Sequence, residues 1–128
     1  HRNPDLVCHP ETPGAGCPHR IEVIFRLDDG EQESVDVYVL LLEERGIALS
    51  YPYSSDVKGS RHGQMRELRI QHRGDPYRVF YAFDPRRAAI LLIGGSKVGN
   101  DQFYAKYVPL VDRIYDDHLK ALKKEQGE

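Results

Sequence analysis

The stretch MRELRIQH (65–72), RGDP (73–76), YRVFYAF (77–83), DPRR (84–87), AAILLI (88–93) decides how this chain folds. Three strand-forming runs are separated by short clusters of Gly, Pro, Asp and Arg. Connections this short join only antiparallel neighbours, so the stretch predicts a meander. Leu68 and Ile70 share one face of the first run, and Tyr77, Val79, Tyr81 and Phe83 share one face of the second. Burying both sets together requires 68 opposite 81 and 70 opposite 79, and a two-residue Gly74-Asp75 turn supplies that register. It places Arg69 and Gln71 on the other face with Arg78 and Phe80, and Arg78 faces Gln71. A one-residue slip would break the arginine pairing and expose the core together. The third run is apolar on both faces, so it belongs inside the sheet, with an N-terminal strand beside it.

Working outward, residues 20–25 (RIEVIF) alternate and predict a short strand. Residues 29–45 predict a helix, capped by Asp28 or Asp29 and ended by Gly46, with Val35, Tyr38, Val39 and Leu42 as its apolar stripe. Residues 47–63 read as a loop rich in Pro, Ser, Gly and Tyr that ends in KGSRHG (58–63). After GGSK (94–97), a second helix starts near Asp101, capped by Asn100 or Asp101. Its stripe is Phe103, Tyr107, Val111, Ile114, His118 and Leu122, and Pro109 should kink or restart it. Residues 1–18 hold four prolines and two glycines with little apolar content. The expected organisation is a disordered arm over 1–19 and one domain over 20–128. The class is α+β: a small antiparallel sheet of three to four strands packed with an N-terminal helix layer and a C-terminal helix.

The chain has 128 residues, 40% apolar and 30% charged, which suits one small globular domain. No apolar run is long enough to cross a membrane. The net charge of −2 argues against a generic polyanion binder, but it conceals a segregation. Residues 28–44 carry seven acids and no base; residues 57–97 carry nine bases against three acids, a local balance of +6. Such a field can hold a polyanion, although a solvated basic sheet face is the plainer alternative. Cys8 and Cys17 both lie near the start, and the rest of the chain has none, which fits a reducing cytoplasm. The N-terminus lacks the basic-then-apolar run of a signal peptide. Cys8, His9, Cys17 and His19 match no standard zinc spacing, so no metal or cofactor is expected. Arg73-Gly74-Asp75 is an RGD tripeptide in a hairpin turn, with no adhesive role implied.

Arg69 and Arg78 present planar forks that match phosphate oxygens, unless they simply pair with Glu67 or another acid. Lys97 follows a glycine pair at a strand end, where bare backbone would let a ligand approach; the full phosphate-loop pattern is absent. His62, in a flexible loop, is a candidate proton carrier. Tyr104 is a core aromatic unless its hydroxyl points back over the sheet.

KGSRHGQMRELRI (58–70), YRVFYAFDPRRAAILLIGG (77–95) and SKVGNDQFY (96–104) resemble the HigB-like, phage-derived branch of the RelE/ParE toxin superfamily. The similarity covers about residues 26–124 and includes the ending FYxxxxPxxDRxYDxHL. It implies a RelE-like fold and a toxin of a type II toxin–antitoxin module. Many such toxins cleave mRNA in the ribosomal A site without a metal; the ParE branch instead blocks DNA gyrase. The co-encoded antitoxin is often a helix-turn-helix protein. The resemblance implies Arg78 as the phosphate-stabilising arginine, Lys97 as a second cation and Tyr104 as the catalytic tyrosine. It implies RNA contacts from Lys58, Arg61, His62, Arg66 and Arg69. Lys97 or Tyr104 would handle protons, with His62 as an outside candidate. The alternatives are a gyrase-binding toxin or an inactive remnant. The superfamily runs strand, helix, helix, sheet, whereas here the first helix is missing. Residues 1–25, opening at His1 rather than Met, carry no resemblance and suggest an alternative start or an altered frame.

Overall fold

The computed structural model describes residues 20–23, 29–99 and 102–125. The expected arm with its cysteines, strand residues 24 and 25, and the caps Asp28, Asn100 and Asp101 lie outside them. The elements run β1 (Ile21–Val23), α1 (Asp29–Arg45), a 3₁₀ turn (Gly46–Ala48), β2 (Ser54–Asp56), β3 (Arg66–His72), β4 (Asp75–Phe83), β5 (Ala89–Ser96) and α2 (Phe103–Glu125). The sheet order is β1-β5-β4-β3-β2, with β1 parallel to β5 and the other pairs antiparallel. The α+β reading and the meander hold, with a higher strand count. The extra strand is β2, Ser-Ser-Asp, which lacks the apolar alternation that announces a strand. It exists because Ser54 pairs with Leu68 and Asp56 with Arg66 at the sheet edge.

The hairpin register differs from the expected one. Arg73 (φ 54°) and Gly74 (φ 83°) are both left-handed, as a type I′ turn demands at its two central positions. The turn is therefore Arg73-Gly74, and Asp75 begins β4. Leu68 sits opposite Val79, Ile70 opposite Tyr77, and Arg69 directly opposite Arg78. The shift is two residues, so every side chain keeps its expected face.

Those faces hold two cores. Val35, Leu42, Leu68, Ile70, Val79 and Tyr81 pack between the sheet and α1. Met65, Phe80, Ile90, Leu92, Phe103, Val111 and Tyr115 pack between the sheet and α2. Partners 80–93 and 81–91 leave Leu92 as a bulge residue, so Leu92 and Ile93 both join the α2 side. Gly46 (φ 54°) ends α1 as expected. Among the described residues only α1 and the 3₁₀ turn lie between β1 and β2, so one helix stands where the superfamily has two. The second helix does not restart at Pro109: α2 is continuous. The hydrogen bond Pro109 cannot donate would have gone to the Ala105 carbonyl. Both residues are exposed, so water can serve that oxygen.

Asp84 ties α2 to the β4–β5 turn. Its buried carboxylate accepts from the amides of Arg86 and Ala88, the Arg86 guanidinium and His118 Nε2 (2.9 Å). Tyr115 adds a bond to the Phe83 carbonyl at 3.1 Å. Burial alone would push the Asp84 carboxyl up, but the Arg86, His118 and Ala88 donors outweigh it and hold it below the ordinary 3.8. A depressed folded value makes this contribution complete above the ordinary carboxylate value and lost as pH falls through the folded one. Asp84→Ala is expected to lower stability by about 3–5 kcal/mol, because it strands buried donors. Urea midpoints across pH check it: the wild type should lose this margin on acidification below about pH 4, and the variant should lack that part of the acid loss.

Candidate functional site

The register sets two like charges side by side. Arg69 and Arg78 are direct cross-strand partners on the face that α2 covers, an arrangement that repels unless a counter-charge intervenes. Glu67 is that counter-charge. It is 3% exposed; its Oε2 lies 3.5 Å from Arg69 Nη1 and its Oε1 lies 3.9 Å from Arg78 Nε. Ser55, its partner on β2, donates to Oε2 at 2.9 Å. Tyr104, in the first turn of α2, donates its hydroxyl to Oε1 at 2.7 Å. Arg78 is 5% exposed, gives Nη1 to the Tyr77 carbonyl and makes no hydrogen bond through Nε.

Burial pushes the Tyr104 phenol above its ordinary value, the Glu67 carboxylate adds to that, and Arg78 offsets part of it. The Tyr104 hydroxyl thus stays protonated at neutral pH and donates to Glu67. Lys97 Nζ stands 4.8 Å from the Tyr104 ring centroid, a cation–π contact. Gly95 lies opposite Arg78 on β5. A Cβ there would stand 3.0 Å from the Tyr107 hydroxyl and 3.3 Å from Phe103 Cε1. The glycine admits the aromatic end of α2 to the sheet, rather than a ligand.

A cleft of about 380 Å³ opens over this group, lined by Ser55, Asp56, Val57, Lys58, Glu67, Arg69 and Tyr104. A second of about 270 Å³ continues past Lys58 and Tyr104 towards Val108 and Pro109. Arg78 does not line either; it meets the cleft through Glu67.

Five of the eight sequence-derived residues thus converge: Arg69, Arg78, Lys97, Tyr104 and Lys58. Arg66 points to the α1 side, where it is bound by Asp56, Ser54 Oγ, Tyr81 and the Leu49 carbonyl. Arg61 and His62 sit elsewhere, on a loop pinned to α2 instead of flexible. Ser60 Oγ and the Arg61 amide donate to buried Asp112 at 2.5 and 3.0 Å. Arg61 and His62 both pair with Asp116, and the Arg61 guanidinium, joined by His62, holds that carboxyl below the usual range. Asp116 lies twelve residues along α2 from Tyr104, roughly 18 Å of helix axis. The +6 segment is therefore not one basic face.

Glu67 is the residue that sequence reading cast only as an ordinary partner. The available signal was its period-two position, which puts it on the same face as Arg69 and Arg78. Among the described residues no group of three or more His, Cys, Asp or Glu side chains could hold a metal ion, and the Cys8/Cys17 segment lies outside them. No described helix is long and apolar enough to cross a membrane.

The family model described as "Phage derived protein Gp49-like (DUF891)" matches residues 22–116. The similarity thus begins inside β1, upstream of where the motifs had placed it. Two curated relatives come from Mycobacterium tuberculosis strain H37Rv. One, named "Putative toxin HigB2", is 40% identical over 95 residues, 73% of this chain and 47% of that protein. The other, named "Putative toxin HigB3", is 39% identical over 98 residues, 76% of this chain and 84% of that protein. The chain spans about half the length of the first relative. No solved structure matches it significantly.

Gly95→Val is expected to force Phe103 and Tyr107 away from the sheet and to cost about 1–3 kcal/mol, as overpacking does. A urea titration measures the loss. A variant as stable as the wild type would show that α2 does not need this close approach.

Proposed function

The chain belongs to the phage-derived Gp49-like family and is HigB-like in sequence, and from that premise we propose that it is the toxin of a type II toxin–antitoxin module, a metal-independent endoribonuclease that cuts mRNA on the ribosome. The supporting observation is the buried Glu67 held among Arg69, Arg78 and Tyr104 at the floor of a cleft with Lys58 on its wall. The toxin names of both relatives agree with it.

RNA cleavage by its own 2′-hydroxyl needs a base for that proton, positive charge at the phosphorane oxygens and an acid for the departing 5′-oxygen. Glu67 is the base: its carboxylate faces the cleft, and Tyr104 keeps the acid half of the proton role that the resemblance implied for Lys97 or Tyr104. Arg69 and Lys58 meet the phosphate from the cleft wall. Arg78 adds positive charge from behind Glu67. The neutral Tyr104 hydroxyl, steadied by Lys97 over its ring, donates to the leaving oxygen. The 2′-hydroxyl bonds to phosphorus as the 5′-oxygen bond breaks, leaving a cyclic phosphate. DNA lacks the attacking group. A co-encoded antitoxin of the helix-turn-helix kind restrains the toxin in the cytoplasm.

Induced expression with mapping of mRNA 5′ ends tests this reading. The wild type should produce ribosome-dependent cuts. Glu67→Gln should reduce their rate by about 10²–10⁴, the usual contribution of a general base, and Arg78→Ala should reduce it less, because Arg78 reaches the cleft only through Glu67. Growth arrest with intact mRNA and altered DNA supercoiling would replace the ribonuclease with a gyrase-directed toxin.

A further inference from the structure

Tyr51 is 71% exposed, a large ring left in water beside the cleft. The Arg69 guanidinium carbon lies 5.1 Å from its ring centroid, and the same guanidinium reaches Glu67 Oε2 at 3.5 Å. The backbone fixes this juxtaposition. The Tyr53 carbonyl accepts the Arg69 amide at 2.8 Å, and the Tyr53 and Ser54 amides both bond back to the Ser50 carbonyl. The 50–54 turn is thereby fastened to β3 at the very residue that links Tyr51 to the cleft.

An exposed aromatic ring with an arginine on one side is the arrangement that takes an unpaired base on its other side. Burying the ring against a base removes apolar surface from water, and any base fits because every base has a π-face. The position favours RNA over a protein partner, because the ring is joined through Arg69 to a cleft walled by Lys58 and Tyr104. We infer that Tyr51, backed by Arg69, is a nucleobase-stacking subsite that holds an unpaired base next to the scissile phosphate. The inference rests on the ribonuclease reading and adds a substrate contact that lies outside the reacting group. It predicts that Tyr51 governs RNA affinity and not the chemical step.

The test uses the full chain and a short 2′-O-methyl oligoribonucleotide carrying 2-aminopurine, which cannot be cut and loses fluorescence when its base stacks. Wild type and Tyr51→Phe should bind and quench it alike. Tyr51→Ala and Tyr51→Leu should bind roughly 5- to 100-fold more weakly and leave it unquenched. Thermal unfolding of all four should coincide, since the ring is exposed. Equal binding and quenching by Tyr51→Ala would overturn the subsite, as would failure of the wild type to bind the probe. Unchanged probe binding with a weakened antitoxin complex would also overturn it, in favour of a protein contact. In each case the mRNA cuts that depend on Arg78 decide the ribonuclease reading separately.

Discussion

A buried carboxylate between two arginines is the constraint on which the rest of the structure depends. Arg69 and Arg78 face each other across one register pair, and without Glu67 that pairing would be repulsive. Burying Glu67 unpaired would be equally unfavourable. The group is tolerable only complete: Ser55 from the edge strand, Tyr104 from α2 and the two guanidinium groups each occupy part of it. Each contributor comes from a different element, so the hairpin register, the three-residue edge strand and the docking of α2 all act on the same few atoms. The arrangement holds two guanidinium groups and a carboxylate together at the floor of a cleft, the set of charges that the proposed chemistry on RNA uses.

Two other carboxylates fasten α2 to the rest of the fold. Asp84 grips it near His118, and Asp112 grips the 58–63 loop from it. The loop in turn puts Lys58 at the cleft wall. Acids outside the basic segment also take up part of its charge: Asp116, Asp56 and Glu22 pair with Arg61, Arg66 and Arg86. The cleft retains only a few of those cations.

Much of the fold was legible because period-two alternation in β3 and β4 and the 3.6 period of α2 are strong local signals, whereas α1 announced itself by its leading acids and its closing Gly46. That Arg69 and Arg78 share a face followed from the same alternation; that they stand directly opposite did not. The register was off by two because Arg73, an unusual residue for left-handed backbone, takes the turn position that Gly74-Asp75 was expected to fill. The edge strand was illegible because its residues are polar and its existence depends on β3. Lys97 stood out weakly, as a cation after a glycine pair at a strand end, whereas Tyr104 read as a core aromatic and only the resemblance gave it a role. Glu67 looked like a surface acid because its burial depends on Tyr104, 37 residues later. Gly95 was read as room for a ligand, and in the fold that room is filled by Phe103 and Tyr107.

The central claim is that this carboxylate–arginine group cuts RNA through the substrate's own 2′-hydroxyl. The most direct measurement programs ribosomes with mRNA in which a single A-site nucleotide is 2′-deoxy, and follows single-turnover cleavage by the purified protein. The account predicts that the all-ribose message is cut, leaving a 2′,3′-cyclic phosphate, and that the deoxy-substituted message is not cut at that position. Equal cleavage of the two messages would contradict it, and so would intact messages of both kinds.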